Sequence, residues 1–114
     1  MTDKKYRRWE IWRAKVKFEE RNGSKERPVL VLDEEKIVVI SLKMTSHEPR
    51  YKKLQGEYEV MKWSEAGLSK PTVIQCSKIL QLSKEDMTDY KYGTLSAVDI
   101  VGLQSIMRYM GITK

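Results

Sequence analysis

A chain of 114 residues, 40% hydrophobic and 33% charged, carries enough apolar material for one packed domain, residues 1–114, without disulfides or a structural metal. Its single cysteine, Cys76, excludes an internal disulfide; no apolar run nears the roughly 20 residues of a membrane helix, and MTDKKYRRWEIW lacks the apolar stretch of a secretory signal, so a cytoplasmic protein is expected. Lys and Arg total 22 against 16 acidic residues, a net charge of +6 that favours phosphate-bearing partners such as nucleic acid.

In chain order, Trp12, Ala14, Val16 and Phe18 alternate with Arg13, Lys15 and Lys17, which predicts a half-buried strand with one basic face. Residues 19–26 are charged and contain Asn22-Gly23, so a mobile loop is expected there. Arg27-Pro28-Val29-Leu30-Val31-Leu32 reads as a second strand with its proline at the start, and Asp33 to Lys36 as a turn. Ile37 to Thr45 forms a third strand, with Val38, Ile40, Leu42 and Met44 on its core face. Glu57 to Val60 is a further strand, and Trp63 to Leu68 one helical turn stopped by Gly67. After Pro71, Thr72 to Ile79 is β-rich, and Ser83 with Asp86 fits a capping signal for a short helix. Ser96 and Asp99 cap a C-terminal helix, Leu95 staples against Ile100, and Ile100, Leu103, Met107 and Met110 share one face. Gly102 within it suggests close packing, and Gly111 ends it. The fold class predicted is mainly β: a small antiparallel barrel or strongly bent sheet with short helical turns and a C-terminal helix.

The polar positions narrow the chemistry. On the third strand Ser41, Lys43 and Thr45 alternate away from the core stripe, and His47 joins them if the strand continues, at steps of about 7 Å. Arg27 opens the neighbouring strand. One His, one Cys and no paired acidic motif give no zinc or calcium pattern, and P-loop, Gly-x-Gly-x-x-Gly and Gly-x-Ser-x-Gly motifs are absent. No metal or cofactor is expected. A Cys76–His47 nucleophile pair is conceivable, yet nothing marks the thiol as activated. Arginine, hydroxyls, an imidazole and lysine on a basic surface suit chemistry on phosphate, because a guanidinium holds a phosphoryl oxygen through two hydrogen bonds. RNA brings its own nucleophile, the 2′-OH. The same residues would equally serve a surface that only binds.

Four stretches then give the chain a family resemblance: Glu10-Ile11-Trp12; Arg27-Pro28-Val29-Leu30-Val31-Leu32; Thr45-Ser46-His47-Glu48-Pro49-Arg50; and Trp63-Ser64-Glu65-Ala66-Gly67-Leu68-Ser69-Lys70-Pro71-Thr72. With Gly93-Thr94-Leu95-Ser96 ahead of the last helix, they resemble the PemK/MazF toxins of type II toxin–antitoxin systems in order and spacing. The resemblance implies an SH3-like barrel of the CcdB/PemK/MazF type, assembled as a homodimer. It implies a metal-independent, sequence-specific endoribonuclease that cuts single-stranded RNA to 2′,3′-cyclic phosphate and 5′-OH ends, neutralised by a cognate acidic antitoxin. Arg27 and Thr45 match the family's catalytic arginine and hydroxyl. His47 is the side chain whose ordinary pKa suits acid–base work near neutrality. RNA contacts are expected at Lys43, Ser46, Arg50, Lys15, Glu10 and Lys78. Two departures stand out: family members commonly carry glycine where Trp9 precedes Glu10, and the loop before Arg27 is shorter than in many relatives. The alternative is a member of the same fold that binds nucleic acid or a protein, for example a gyrase, without catalysis.

Overall fold

The computed structural model describes residues 6–17, 24–34, 38–46, 57–109 and 111. Within them the chain forms β1 (Glu10–Lys17), β2 (Ser24–Glu34), β3 (Val38–Ser46), β4 (Glu57–Glu59), β5 (Thr72–Ser83), a 3₁₀ turn (Lys84–Asp86), β6 (Met87–Thr94) and α1 (Ala97–Tyr109). All pairings are antiparallel, in the order β4-β5-β3-β2-β1-β6. The fold is mainly β with one C-terminal helix, as the sequence predicts, and among the described residues the sheet runs open from β4 to β6.

β2 lies inside the sheet and is buried on both faces, which explains why its sequence is a continuous apolar run rather than an alternating one. Leu30 and Leu32 join Ile11, Met44 and Ile74 in a cluster that packs against Leu103 and Met107 of α1. Val29 and Val31 point the other way, into a second cluster with Trp12, Ala14, Val16, Leu82 and Met87. Full burial of each such aliphatic side chain stabilises the fold by about 1.5–3 kcal/mol. β1 alternates as predicted: Trp12, Ala14 and Val16 are buried, Arg13 is half-buried and Lys15 is exposed. Phe18 lies outside the described residues, as do Met110 and residues 19–23 of the expected loop.

Three local readings change. Ser24, Lys25 and Glu26 extend β2 and pair with Lys17, Val16 and Lys15, so this end of the expected loop is strand. Pro28 therefore sits inside β2, opposite Arg13. Pairing of β2 with β3 begins only at Val29, so the proline's missing N–H falls where that second ladder starts. β5 runs to Ser83 because a bulge breaks its register: adjacent Leu42 and Lys43 of β3 pair with Ile79 and Gln75, four positions apart. β6 is a strand with no counterpart among the predicted elements.

Glycines allow the connections to close. Gly67, at φ +90°, passes so near β6 that a Cβ would stand 1.9 Å from the Tyr92 carbonyl oxygen. Gly93 is its reciprocal, with a Cβ falling 2.3 Å from the Ala66 carbonyl oxygen. Gly102 of α1 lies against the Tyr58 ring, where a Cβ would meet it at 2.7 Å, which is the close packing its sequence position suggested. No helix among the described residues is long and apolar enough to cross a membrane.

Candidate nucleic-acid interface

Arg27 is brought to its place by the β1–β2 register, which sets it opposite Ala14. Cross-strand partners share a sheet face, so Arg27 continues the row of Val29 and Val31 and lies beside the second apolar cluster. Its side chain is half-buried, and its Nε atom is closed to solvent. On the other side of β2, Val29 pairs with Lys43, Leu30 with Leu42 and Val31 with Ser41. Arg27 stands two residues before Val29 on β2 and Thr45 two residues after Lys43 on β3, just beyond the end of this ladder. On its far side Thr45 pairs with Val73, and Ser46 with Thr72.

The other predicted positions separate from this pair to different degrees. Lys15 is exposed on β1, opposite Glu26. Lys78 belongs to the β5 bulge between Gln75 and Ile79. The side chains of Lys43, Thr45, Ser46 and Lys78 lie outside what is described, and so do His47 and Arg50 altogether. Glu10 is buried, and both of its oxygens are engaged within the chain. Oε1 accepts from the Arg7 N–H and the Trp12 indole N–H, both at 2.9 Å. Oε2 accepts from the Lys91 ammonium at 2.8 Å. Burial alone would raise the Glu10 pKa, but the Lys91, Arg7 and Trp12 donors outweigh it and hold it below its ordinary value.

Trp9, just ahead, has φ +75°, a left-handed backbone that costs most residues roughly 1–2 kcal/mol and glycine almost nothing. It is kept there by two hydrogen bonds: its N–H donates to the Val31 carbonyl at 2.8 Å, and its carbonyl accepts from the Leu95 N–H at 2.9 Å. A glycine would take this backbone freely, and the tryptophan holds it at a conformational cost. Arg8 lies over the Trp9 ring, 4.8 Å from its centroid.

Two polar constellations escaped the sequence reading, and so did the long-range partners of a third, the Asp99 cap. Gln75 on β5 donates from Nε2 to Glu57 Oε2 on β4 at 3.3 Å. Arg13 lies 4.9 Å from the Tyr90 ring centroid and donates from Nε to the Tyr92 hydroxyl at 3.3 Å. Those tyrosines form an edge-to-face pair, and period-two Thr88, Tyr90, Tyr92 and Thr94 was the available signal for β6. Asp99 caps α1 from a fully buried position. Its carboxylate accepts from the Tyr58 hydroxyl at 2.6 Å, the Met61 and Lys62 N–H groups at 2.8 and 2.9 Å, and the Ser96 hydroxyl at 2.8 Å. Burial would raise its pKa, but these donors together lower it. Cys76 is buried near the acidic Glu57, and the two effects push its thiol up to about 11, so the thiol is protonated near neutral pH.

A family model described as PemK-like, MazF-like toxin of type II toxin–antitoxin system matches residues 7–110. Among solved structures, the Mycobacterium tuberculosis toxin MazF-mt6 superposes with a TM-score of 0.68 at 22% identity, covering 92% of this chain and 99% of that one. An endoribonuclease from Mycobacterial species in complex with its cognate antitoxin gives a TM-score of 0.68 at 12% identity, covering 94% and 96%. A third structure, an Mtb toxin, gives 0.60 at 24% identity over 73% and 90%. At these identities the superpositions establish likeness of fold. No curated protein matches the sequence.

Proposed function

The chain belongs to the PemK-like, MazF-like toxins of type II toxin–antitoxin systems, and from that premise we propose that it is an endoribonuclease that cuts single-stranded RNA at short sequences. The observation that supports this reading is that Arg27, beside an apolar cluster, and Thr45 flank the same end of the β2–β3 ladder, each two residues beyond its first pair, Val29 with Lys43. In the reaction the ribose 2′-OH loses its proton and attacks the adjoining phosphorus. The bond to the 5′-oxygen breaks, that oxygen takes up a proton, and the products are a 2′,3′-cyclic phosphate and a 5′-OH. Negative charge grows on the non-bridging oxygens as the attack proceeds. Arg27 meets that charge with two N–H donors, and Thr45 donates a third hydrogen bond from its hydroxyl. A low-dielectric surround makes such donors worth more than in water. His47 is assigned to proton transfer, where a positioned imidazole contributes about 10²–10⁴-fold.

Lys43, Ser46, Arg50, Lys15 and Lys78 are assigned to the RNA backbone, consistent with the +6 charge. Glu10, its oxygens already engaged, holds the strand frame as a positioning residue. A cognate antitoxin would cover the same basic surface with an acidic segment, a reading supported by the antitoxin complex of the Mycobacterial relative in fold. A homodimer is supported by Val98, Val101 and Tyr109, which leave an apolar side of α1 exposed. The test incubates purified protein with a mixed RNA pool in EDTA and maps new 5′ ends. Sequence-restricted cuts that disappear in Thr45→Ala are expected. RNA left intact across pools and concentrations would overturn the nuclease reading.

A further inference from the structure

We propose that Gln75 is a specificity-determining residue that accepts a hydrogen bond from the amino group of an RNA base laid across β3 and β5. The inference rests on the reading that this sheet face binds RNA. Gln75 is fixed at one end: its Nε2 donates to Glu57 Oε2 at 3.3 Å. Flipping the amide would set Oε1 against that carboxylate, so the bond fixes which way the amide points. The consequence is that Oε1, closed to solvent, has no hydrogen-bond partner among the described residues. A buried carbonyl oxygen without a donor costs the free protein about 1–3 kcal/mol, and native structures carry few of them.

Its position says which donor it awaits. Gln75 pairs with Lys43, and Lys43 with Val29, one alternation along β2 from Arg27. Gln75 therefore lies on the same sheet face as Arg27, two strands away, about 10 Å across the sheet by strand spacing. A substrate whose phosphate is held at Arg27 has its neighbouring bases over this part of the sheet. An amide oxygen backed by the Glu57 carboxylate repels phosphate and the carbonyl edge of uracil. It attracts the exocyclic amino group of adenine, cytosine or guanine. Docking such a base exchanges the oxygen's shielding for a hydrogen bond. Glu57 is then a positioning residue, since it reaches the base only through the amide it orients.

The experiment measures binding to a randomised 2′-O-methyl RNA pool, whose blocked nucleophile prevents cleavage, with sequencing of the bound fraction. Wild-type protein is expected to enrich amino-bearing bases over uracil at one position by roughly 3–10-fold, the worth of one hydrogen bond. Gln75→Met, similar in shape but without the acceptor, should lose that preference while melting as a folded protein. In a matched pair of oligonucleotides, replacing the selected base by its analogue lacking the amino group should weaken binding to wild type and leave binding to Gln75→Met unchanged. This comparison within each protein holds even if the variant is less stable. The same preference in both proteins, or none in wild type, overturns the assignment. Wild type that selects amino bases yet leaves natural RNA uncut supports the assignment and overturns the nuclease reading alone. Wild type that binds no RNA overturns both.

Discussion

Two polar groups on opposite faces of the sheet, each with a buried oxygen, are treated in opposite ways. Asp99, under the first turn of α1, has its carboxylate saturated by the Tyr58 and Ser96 hydroxyls and two backbone N–H groups. Gln75, on the sheet face shared with Arg27, keeps one donor bond and leaves its acceptor without a donor among the described residues. The difference separates structure from use. A carboxylate that fastens the 58–62 segment to a helix is valuable only if every lone pair is answered, because the low dielectric penalises any vacancy. An acceptor left vacant is a standing cost, and a ligand that fills it recovers that cost on binding.

The sharpest way to break the comparison is to empty the saturated site. Asp99→Ala leaves the Tyr58 hydroxyl and the Met61 and Lys62 N–H groups without their acceptor and should cost about 3 kcal/mol or more in urea unfolding. A loss below roughly 1 kcal/mol would show the clamp to be dispensable. Gly67→Ala tests a separate fastening, that of the turn ahead of Leu68 to β6, by combining a left-handed φ with a clash on Tyr92; a loss of roughly 1–3 kcal/mol is expected.

Acid should loosen this region in a defined direction. Asp99 and Glu10 both have pKa values lowered from the ordinary 3.8 and 4.5. Their stabilisation is complete above those ordinary values and is lost as pH falls through the lower folded-state values. Unfolding midpoints followed from pH 6 downward should therefore drop below about pH 4.5, and Asp99→Asn should flatten the Asp99 part of that drop. A stability rising toward acid pH would contradict the assignment. The smallest effect belongs to Trp9→Gly. Relief of the left-handed backbone, roughly 1–2 kcal/mol, opposes the loss of ring packing against the core. Melting should move by only a few degrees in either direction.

How much of this could be read from the sequence depends on the distance over which each feature is decided. The alternation of Trp12, Ala14 and Val16, the apolar run of β2 and the Ser96–Asp99 cap are local patterns, and they appear in the fold where the sequence puts them. β6 escaped because its residues are mostly exposed, so no burial pattern marks it. The length of β5 was hidden by the bulge before Ile79, which interrupts the period. The capping role of Asp99 was visible, while its bond to Tyr58, 41 positions away, exists only once α1 meets β4. Arg27 and Thr45 were named through family resemblance, and their position at the same end of the β2–β3 ladder emerges only from that pairing. Gln75 is an ordinary strand residue in sequence; what singles it out is an oxygen without a donor. His47 and Arg50 lie outside the described residues.

The central claim, that the face carrying Arg27 serves RNA chemistry and the Asp99 side serves the fold, is tested most directly by the single-turnover cleavage rate of Arg27→Ala. The protein is assayed at a temperature where circular dichroism shows it folded. Loss of a donor to the developing phosphoryl charge predicts a fall of about 10²–10³-fold with the melting midpoint near wild type. A rate within about threefold of wild type, well short of that range, would contradict it.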